Sequence, residues 1–301
     1  MNDMPGRRGA GRLYIVATPI GNLKDITFRA IETLNTVDII AAEDTRHTRK
    51  LLSHFQIKSR LVSCHEHNET FRIPMLLERL QSGLSVALVS DAGTPSVSDP
   101  GYRLATAAIA EGIRVVPIPG ASAAISALSA SGLPSDSFFF AGFLPATSSK
   151  RRAKLEELSN IPSTLIFYES PRRFSSSLAD MLKVLGDRPA VIAREMTKLH
   201  EEFLRGSLSE LVRSLAGIES LKGEITLLVG PAFPDPCAAD DLLEQHILSE
   251  LEKRDFTVSS LAKELSKAYK MPKNMIYQKI LDIKSAMDNT EDNGKGVESN
   301  G

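Results

Sequence analysis

A chain of 301 residues, 42% of them apolar and 24% charged, has the means to build generous cores under a solvated surface, which excludes a disordered or fibrous protein. Cys64 and Cys237 lie far apart and form no C-x-x-C pair, which excludes a disulfide framework or zinc ribbon and favours a reducing compartment. The formal net charge of −1 gives no global pull toward nucleic acid, so any RNA binding must come from local basic patches.

Residues 1–11 are rich in Gly and Arg and predict a disordered start, and MNDMPGRRGAGR lacks the apolar core of a signal peptide. No apolar stretch has the length of a membrane span, so no membrane partner is expected and the cytoplasm is the default location. From Leu13 the sequence alternates. Strands are predicted at Leu13 to Ala17, Val37 to Ala42, Ser85 to Ser90 and Ile113 to Pro117, separated by helical patterns such as TFRAIETL, RHTRKLLSHF and IPMLLERLQ. That alternation predicts a parallel α/β sheet over residues 12–134.

Three of these strands run into loops that carry Pro and Gly: TPIGN after the first, DAGTPSVSDPG after VALVS, and PGAS after RVVPI. Ligands of open α/β sheets lie beyond the carboxyl ends of the strands. Pro95 and Pro100 stiffen the middle loop, while Gly93 and Gly101 let a ligand approach the main chain. The alternative is that these are plain strand-to-helix turns. No G-x-G-x-x-G spacing and no P-loop lysine motif occurs, which argues against NAD and ATP.

A second α/β unit is predicted over residues 135–234, with strands at Thr164 to Tyr168, Ala190 to Arg194 and Glu224 to Val229. Ser207 and Glu210 form a capping box before a Leu/Val helical repeat. After the Pro-rich stretch from Pro231 to Pro236, residues 238–286 pattern as three amphipathic helices, and residues 287–301 as a disordered tail. Lys263, Lys267, Lys270 and Lys273 recur every three or four residues. They read either as solvated lysines of a small bundle or as a grip for RNA phosphates.

The strings VATPIGNLKDIT, AAEDTRHTRKLL, VSDAGTPSVSDPG, PIPGASAAISAL, FYESPRR, REMTKLHEE and KGEITLLV, in this order, resemble the small-subunit ribosomal RNA methyltransferase I family, a branch of the tetrapyrrole-methylase-like superfamily. The resemblance covers roughly Leu13 to Ile283. It implies an α/β fold of two domains of the tetrapyrrole-methylase type with a cleft between them, plus a small C-terminal helical module. It also implies transfer of a methyl group from S-adenosylmethionine to the ribose 2′-oxygen of a decoding-region cytidine in 16S ribosomal RNA of the small subunit, by a homodimer. A tetrapyrrole methyltransferase and a non-catalytic RNA-binding module are the rival readings, since fold does not fix function.

On this reading Pro19, Gly21, Ser90, Asp91, Ala92, Gly93, Thr94, Ala121 and Ser122 surround the donor, joined from the second domain by Phe143, Lys222, Gly223 and Glu224. The K-G-E segment reads equally as a turn entering an edge strand. Arg46, Arg49, Lys50, Arg172 and Arg173 join the four lysines as candidate phosphate contacts. A ribose hydroxyl is a poor nucleophile and benefits from a nearby proton acceptor, for which Glu43, Asp44, His65 and Glu195 are unranked candidates. Glu43 and Asp44 read as readily as caps of the following helix. His65-Glu66-His67 lacks the H-E-x-x-H spacing and a third ligand, so no metal is expected.

Overall fold

The computed structural model describes residues 11–216, 223–232, 243–244, 246–251, 257–269 and 272–294. The contacts divide the chain at Ala232 into two units. The first holds two five-stranded sheets, in the order β3-β2-β4-β1-β5 and β6-β7-β10-β8-β9.

The first sheet alternates with helices throughout: β1 (Arg12–Val16), α1 (Phe28–Thr36), β2 (Ile39–Ala42), α2 (Thr45–His54), β3 (Arg60–Ser63), α3 (Glu69–Gln81), β4 (Val86–Val89), α4 (Tyr102–Ala110), β5 (Arg114–Ile118) and α5 (Ala123–Ser131). All its pairings are parallel. IIAA and VALV are buried at every position, because helices cover both faces. Hydrophobic clusters around Leu88 and Ile40 fill the two sides. Since β4, β1 and β5 are neighbours, the loops that follow them leave the same edge of the sheet side by side.

The second sheet comprises β6 (Phe138–Phe143), α6 (Ser148–Leu158), β7 (Thr164–Glu169), α7 (Phe174–Leu185), β8 (Pro189–Arg194), β9 (Glu202–Ser207), α8 (Leu208–Ser214) and β10 (Ile225–Val229). It is mixed: β10 runs antiparallel to both β7 and β8, β9 antiparallel to β8, and β6 parallel to β7. One face packs on α6, α7 and α8 through Leu155, Phe174, Leu178 and Leu211. Its other face receives α5, where Ala124, Ala127 and Leu128 meet Ile166, Val191 and Leu228. A helix of the first sheet thus caps the second, and this holds the two sheets in one unit. Between α6 and α7, the buried Arg151 pairs with the buried Asp180 at 2.6 Å, and Arg152 reaches the other Asp180 oxygen at 2.6 Å.

In the second unit, Leu243 and Ile247 pack with Leu261, Leu265, Ile276 and Ile280 of helices Val258–Tyr269 and Lys273–Gly294. The last helix runs through Gly294, past the point at which the sequence predicts disorder. Its apolar period fades after Ile283, but Ser285-Ala286-Met287 contains no Gly or Pro to end the helix. Lys263 and Lys273 are exposed but belong to different helices, so the run of lysines does not form one helical face. The side chain of Lys267 and all of Lys222 and Lys270 lie outside the described residues, as do residues 1–10 and 295–301.

Candidate active site

The three Pro/Gly loops are bonded to one another. Thr18 and Gly93 exchange backbone hydrogen bonds of 2.8 and 3.0 Å, which joins the loop after β1 to the loop after β4. The Thr18 hydroxyl adds a bond to the Ser90 carbonyl at 3.2 Å, and Thr94 Oγ1 donates to the Ala121 carbonyl at 3.2 Å, bringing in the loop after β5. Gly93 has φ +78°, a conformation that favours glycine. Gly120 packs on Ala17 so closely that a Cβ would come within 2.9 Å of that methyl.

Together with second-sheet segments these loops enclose a cavity of about 430 Å³, within the ~300–1,000 Å³ usual for small-ligand sites. From the first sheet come Ile20, Glu43, Asp91, Ala92, Gly93, Thr94, Asp99, Ser122 and Ala123. The second contributes Phe143, Tyr168, Glu169, Ser170, Pro171, Met196 and residues 223–226. Of the donor residues expected from sequence, Asp91, Ala92, Gly93, Thr94, Ser122, Phe143, Gly223 and Glu224 line this cavity. Pro19, Gly21 and Ser90 instead line an adjoining cavity of about 340 Å³, with His47, Lys50 and Lys198. Ala121 is engaged through its carbonyl with Thr94.

Phe143 is 55% exposed, and its ring stands 5.6 Å from that of Tyr168, which also packs against Phe140 at 4.9 Å. The Tyr168 hydroxyl accepts from the Ala124 amide at 3.3 Å, tying the second sheet to the first turn of α5. Burial pushes the Tyr168 phenol upward. Ser122 starts α5 without a side-chain cap, and Ser122 and Ala123 at this helix end line the cavity, while the Ala124 amide is taken by Tyr168.

The four candidate proton acceptors differ in their surroundings. Asp44 caps α2, accepting from the Arg46 amide at 2.8 Å, and is ion-paired with the Arg46 side chain at 2.8 Å. These bonds hold it well below the usual carboxylate range. Glu195, in a left-handed conformation at φ +50°, accepts from Lys198 Nζ at 2.8 Å and from the Glu224 amide at 2.9 Å. Both lower its pKa. A Cβ on Gly223 would fall 2.3 Å from its carboxylate, so Glu195 serves as the post around which the 223–224 turn is wrapped. His65 meets the Asn68 amide nitrogen through Nε2 at 3.1 Å, and lies with Glu66 and His67 on a neighbouring cavity. Glu43 alone of the four lines the main cavity, and its pKa is raised by burial, by Asp99 and by Asp91. Asp99 is raised in turn by burial and by Asp91.

Of the candidate phosphate contacts, Arg46 is spent on Asp44, and Arg173 on Glu169 at 3.1 Å and the Leu144 carbonyl at 3.3 Å. Arg49, Lys50 and Arg172 are exposed. Among the described residues, no group of three or more His, Cys, Asp or Glu side chains is arranged to hold a metal ion.

Sequence reasoning passed over Asp99, Tyr168 and Glu169. Glu169 is buried and accepts from the Ser177 hydroxyl, from the Ser170 amide at 2.7 Å and from Arg173, which shapes the Ser170-Pro171 rim. Its signal was an acid closing the otherwise apolar strand TLIFY. That of Asp99 was an acid set between Ser98 and Pro100 in the loop already singled out.

The tetrapyrrole (corrin/porphyrin) methylase family matches residues 12–212. Proteins named ribosomal RNA small subunit methyltransferase I are similar over most of the chain. The protein of Mesorhizobium japonicum is 49% identical over 94% of this chain and 95% of its own length. That of Halalkalibacterium halodurans is 57% identical over 74% and 77%, and that of Vibrio cholerae 49% identical over 90% and 94%. Among solved structures, cobalt precorrin-4 methyltransferase, a cobalamin biosynthetic enzyme, aligns at a TM-score of 0.56 with 16% identity, covering 76% of this chain and 98% of its own. Diphthine synthase aligns at 0.57 with 17% identity, covering 73% and 90%. At these identities the two structures speak for the fold alone.

Proposed function

We propose, for a chain that belongs to the ribosomal RNA small subunit methyltransferase I family within the tetrapyrrole methylases, that it methylates the ribose 2′-oxygen of a decoding-region cytidine in 16S ribosomal RNA, with S-adenosylmethionine as donor. The observation that carries this reading is the cavity itself, where three strand-end loops are bonded to one another and closed over by the second sheet. Sheet order alone brings the three loops side by side; the enclosed space of about 430 Å³ between them and the second sheet is what a plain connector does not require.

The lining fits such a donor. Ile20, Ala92, Met196, Phe143 and Tyr168 offer apolar and aromatic surface to an adenine ring. Asp91, Glu43 and Asp99 give the cavity a negative side that favours a cation. Ser122 and Ala123, at the N-terminus of α5, suit a carboxylate. Such a donor, when bound, supplies a methyl group on a cationic sulfonium. The chain's own part is placement, worth roughly 7–11 kcal/mol in well-oriented reactions, and proton acceptance. Glu43 fills the second role: a carboxylate oxygen on the cavity wall takes the proton of the 2′-hydroxyl as the oxygen becomes nucleophilic. Its raised pKa makes it a stronger base than Asp44 or Glu195, which are occupied by cations.

Arg49, Lys50 and Arg172, with Lys263 and Lys273 of the helical unit, are exposed cations available to RNA phosphates. The 16S RNA of the small subunit is the expected partner, the cytoplasm the expected location and a homodimer the expected working form, the last open to light scattering. Among the described residues no helix is long and apolar enough to cross a membrane. Incubation with methyl-labelled donor and either 30S particles or a porphyrinoid tests the reading. Label in the RNA is expected; label in the pigment, or in neither, overturns it.

A further inference from the structure

Next to the donor cavity lies a second one of about 490 Å³, and the two share the side chains of Glu43, Ser98 and Asp99 as a common wall. We infer that this second cavity receives the acceptor nucleoside, turned out of its RNA strand, with Tyr102 as stacking platform and Glu66 as reader of an exocyclic amino group. The inference rests on the function proposed above and deepens it.

Position is the first argument. Methyl transfer needs the acceptor oxygen within near-attack distance of the methyl carbon, so the acceptor needs a site that adjoins the donor cavity, and this cavity meets it at Glu43, Ser98 and Asp99. Chemistry is the second. Ile20, Met196, Phe143 and Tyr168 line the donor cavity beside its acids, whereas this one presents His65, Glu66, His67 and Arg103, groups able to hydrogen-bond a base edge. His65 Nδ1 is buried and has no hydrogen-bond partner among the described residues. Tyr102 is 71% exposed at the first turn of α4 and offers an open aromatic face, the usual platform for an unstacked base.

Charge is the third. Glu43, Glu66, Glu69 and Asp99 line the cavity against Arg103, which itself leans on Glu69 at 3.8 Å. An acidic chamber repels phosphate, so the backbone stays outside while an uncharged base and ribose enter. A carboxylate also accepts from the amino group of cytosine and finds no donor at the same position of uracil. The rim is built to keep its shape: the buried Glu69 carboxylate accepts from the Gly101 amide at 3.0 Å, and Ser96 and Ser98 stand in left-handed conformations at φ +70° and +65°. Residues other than glycine hold such angles at a cost, which clusters at binding sites.

The test uses the full chain, with 30S particles carrying either cytidine or uridine at the modified position. Tyr102→Ala should lower kcat/KM for the particle about tenfold or more, Tyr102→Phe should restore it, and neither should change donor affinity by calorimetry. Glu66→Gln should narrow the preference for cytidine over uridine, because an amide can donate as well as accept. Variants that keep both the wild-type kcat/KM and the wild-type base preference, in a protein that does methylate the particle, overturn the inference alone. A wild-type protein that binds donor but never labels the particle overturns the proposed function and this inference with it.

Discussion

Replacing Glu43 with glutamine keeps the size of the side chain and removes its basicity. The structure predicts two opposite consequences. For turnover, a positioned proton acceptor is worth about 10²–10⁴-fold, equivalent to about 2.7–5.5 kcal/mol at 1.36 kcal/mol per decade. Two of the other acids are already engaged, Asp44 by Arg46 and Glu195 by Lys198 and the Glu224 amide. Asp99, which shares the cavity wall, is tested by the companion variant Asp99→Asn, which should lose less kcat than Glu43→Gln. For stability the sign reverses. Burial and the charges of Asp99 and Asp91 raise the Glu43 pKa, so the folded state binds this proton more tightly than the unfolded chain. Ionised Glu43 therefore costs stability at neutral pH, and the cost disappears as pH falls below the ordinary carboxylate range. Glu43→Gln should lose kcat by at least 10² and keep donor affinity, yet melt higher than wild type at pH 7 and no higher at pH 4. In the wild type, the acid limb of the kcat profile should lie above the ordinary carboxylate range. Single-turnover methylation with calorimetry and thermal melts at both pH values decides the matter. A variant retaining kcat within threefold, or melting lower at pH 7, refutes the reasoning.

Gly93→Ala meets only ordinary contacts, Ile20 Cγ2 at 3.5 Å and the Ala121 carbonyl at 3.8 Å, but must hold φ +78°, which costs about 1–2 kcal/mol. Gly112→Ala meets nothing within 4 Å at φ +68°, so denaturation should show similar losses in both variants and calorimetry a loss of donor affinity only in Gly93→Ala. Asp180→Ala strands the buried Arg151 guanidinium and should destabilise by about 3–5 kcal/mol, or roughly 10 °C in Tm. Burial pushes the Asp180 pKa upward, but the bonds from Arg152, Arg151 and Ser148 prevail and lower it. The stabilisation from this network is therefore present above the ordinary carboxylate range and lost as pH falls through the depressed value, which acid titration of the melt will register. Lys198→Met frees Glu195 and Glu224 from their common cation and should weaken donor binding several-fold with little change in Tm, since the ammonium is only partly buried.

The first sheet was legible because LYIVA, VALVS and RVVPI are short β-rich runs ending in Pro/Gly loops, and sheet order then brings those ends together. Sequence spacing cannot reveal that order, so convergence of the loops emerged only with the fold. The two outer strands of the second sheet escaped notice for a physical reason: an edge strand is half wet and its pattern is weak. β6 exposes Phe138 and Phe139, and its register shifts between Phe140 and Gly142, where φ is +65°. β9 is nowhere fully buried. Glu195 drew attention as an acid in a polar cluster, but its work is to hold a turn distant in sequence. Asp44 and Glu43 are adjacent and alike as letters. Their separation into helix cap and cavity wall follows from the direction in which β2 delivers each side chain.

β10 is the last strand among the described residues and occupies the middle of its sheet, bonded to β7 on one side and β8 on the other. A ribosome therefore releases β7 and β8 as two open edges, each a template for wrong partners, well before the strand that joins them exists. The turn feeding β10 also closes the donor cavity. Vectorial synthesis thus makes donor binding a late event, and a nascent chain halted before Ile225 should depend on chaperones to stay free of aggregates.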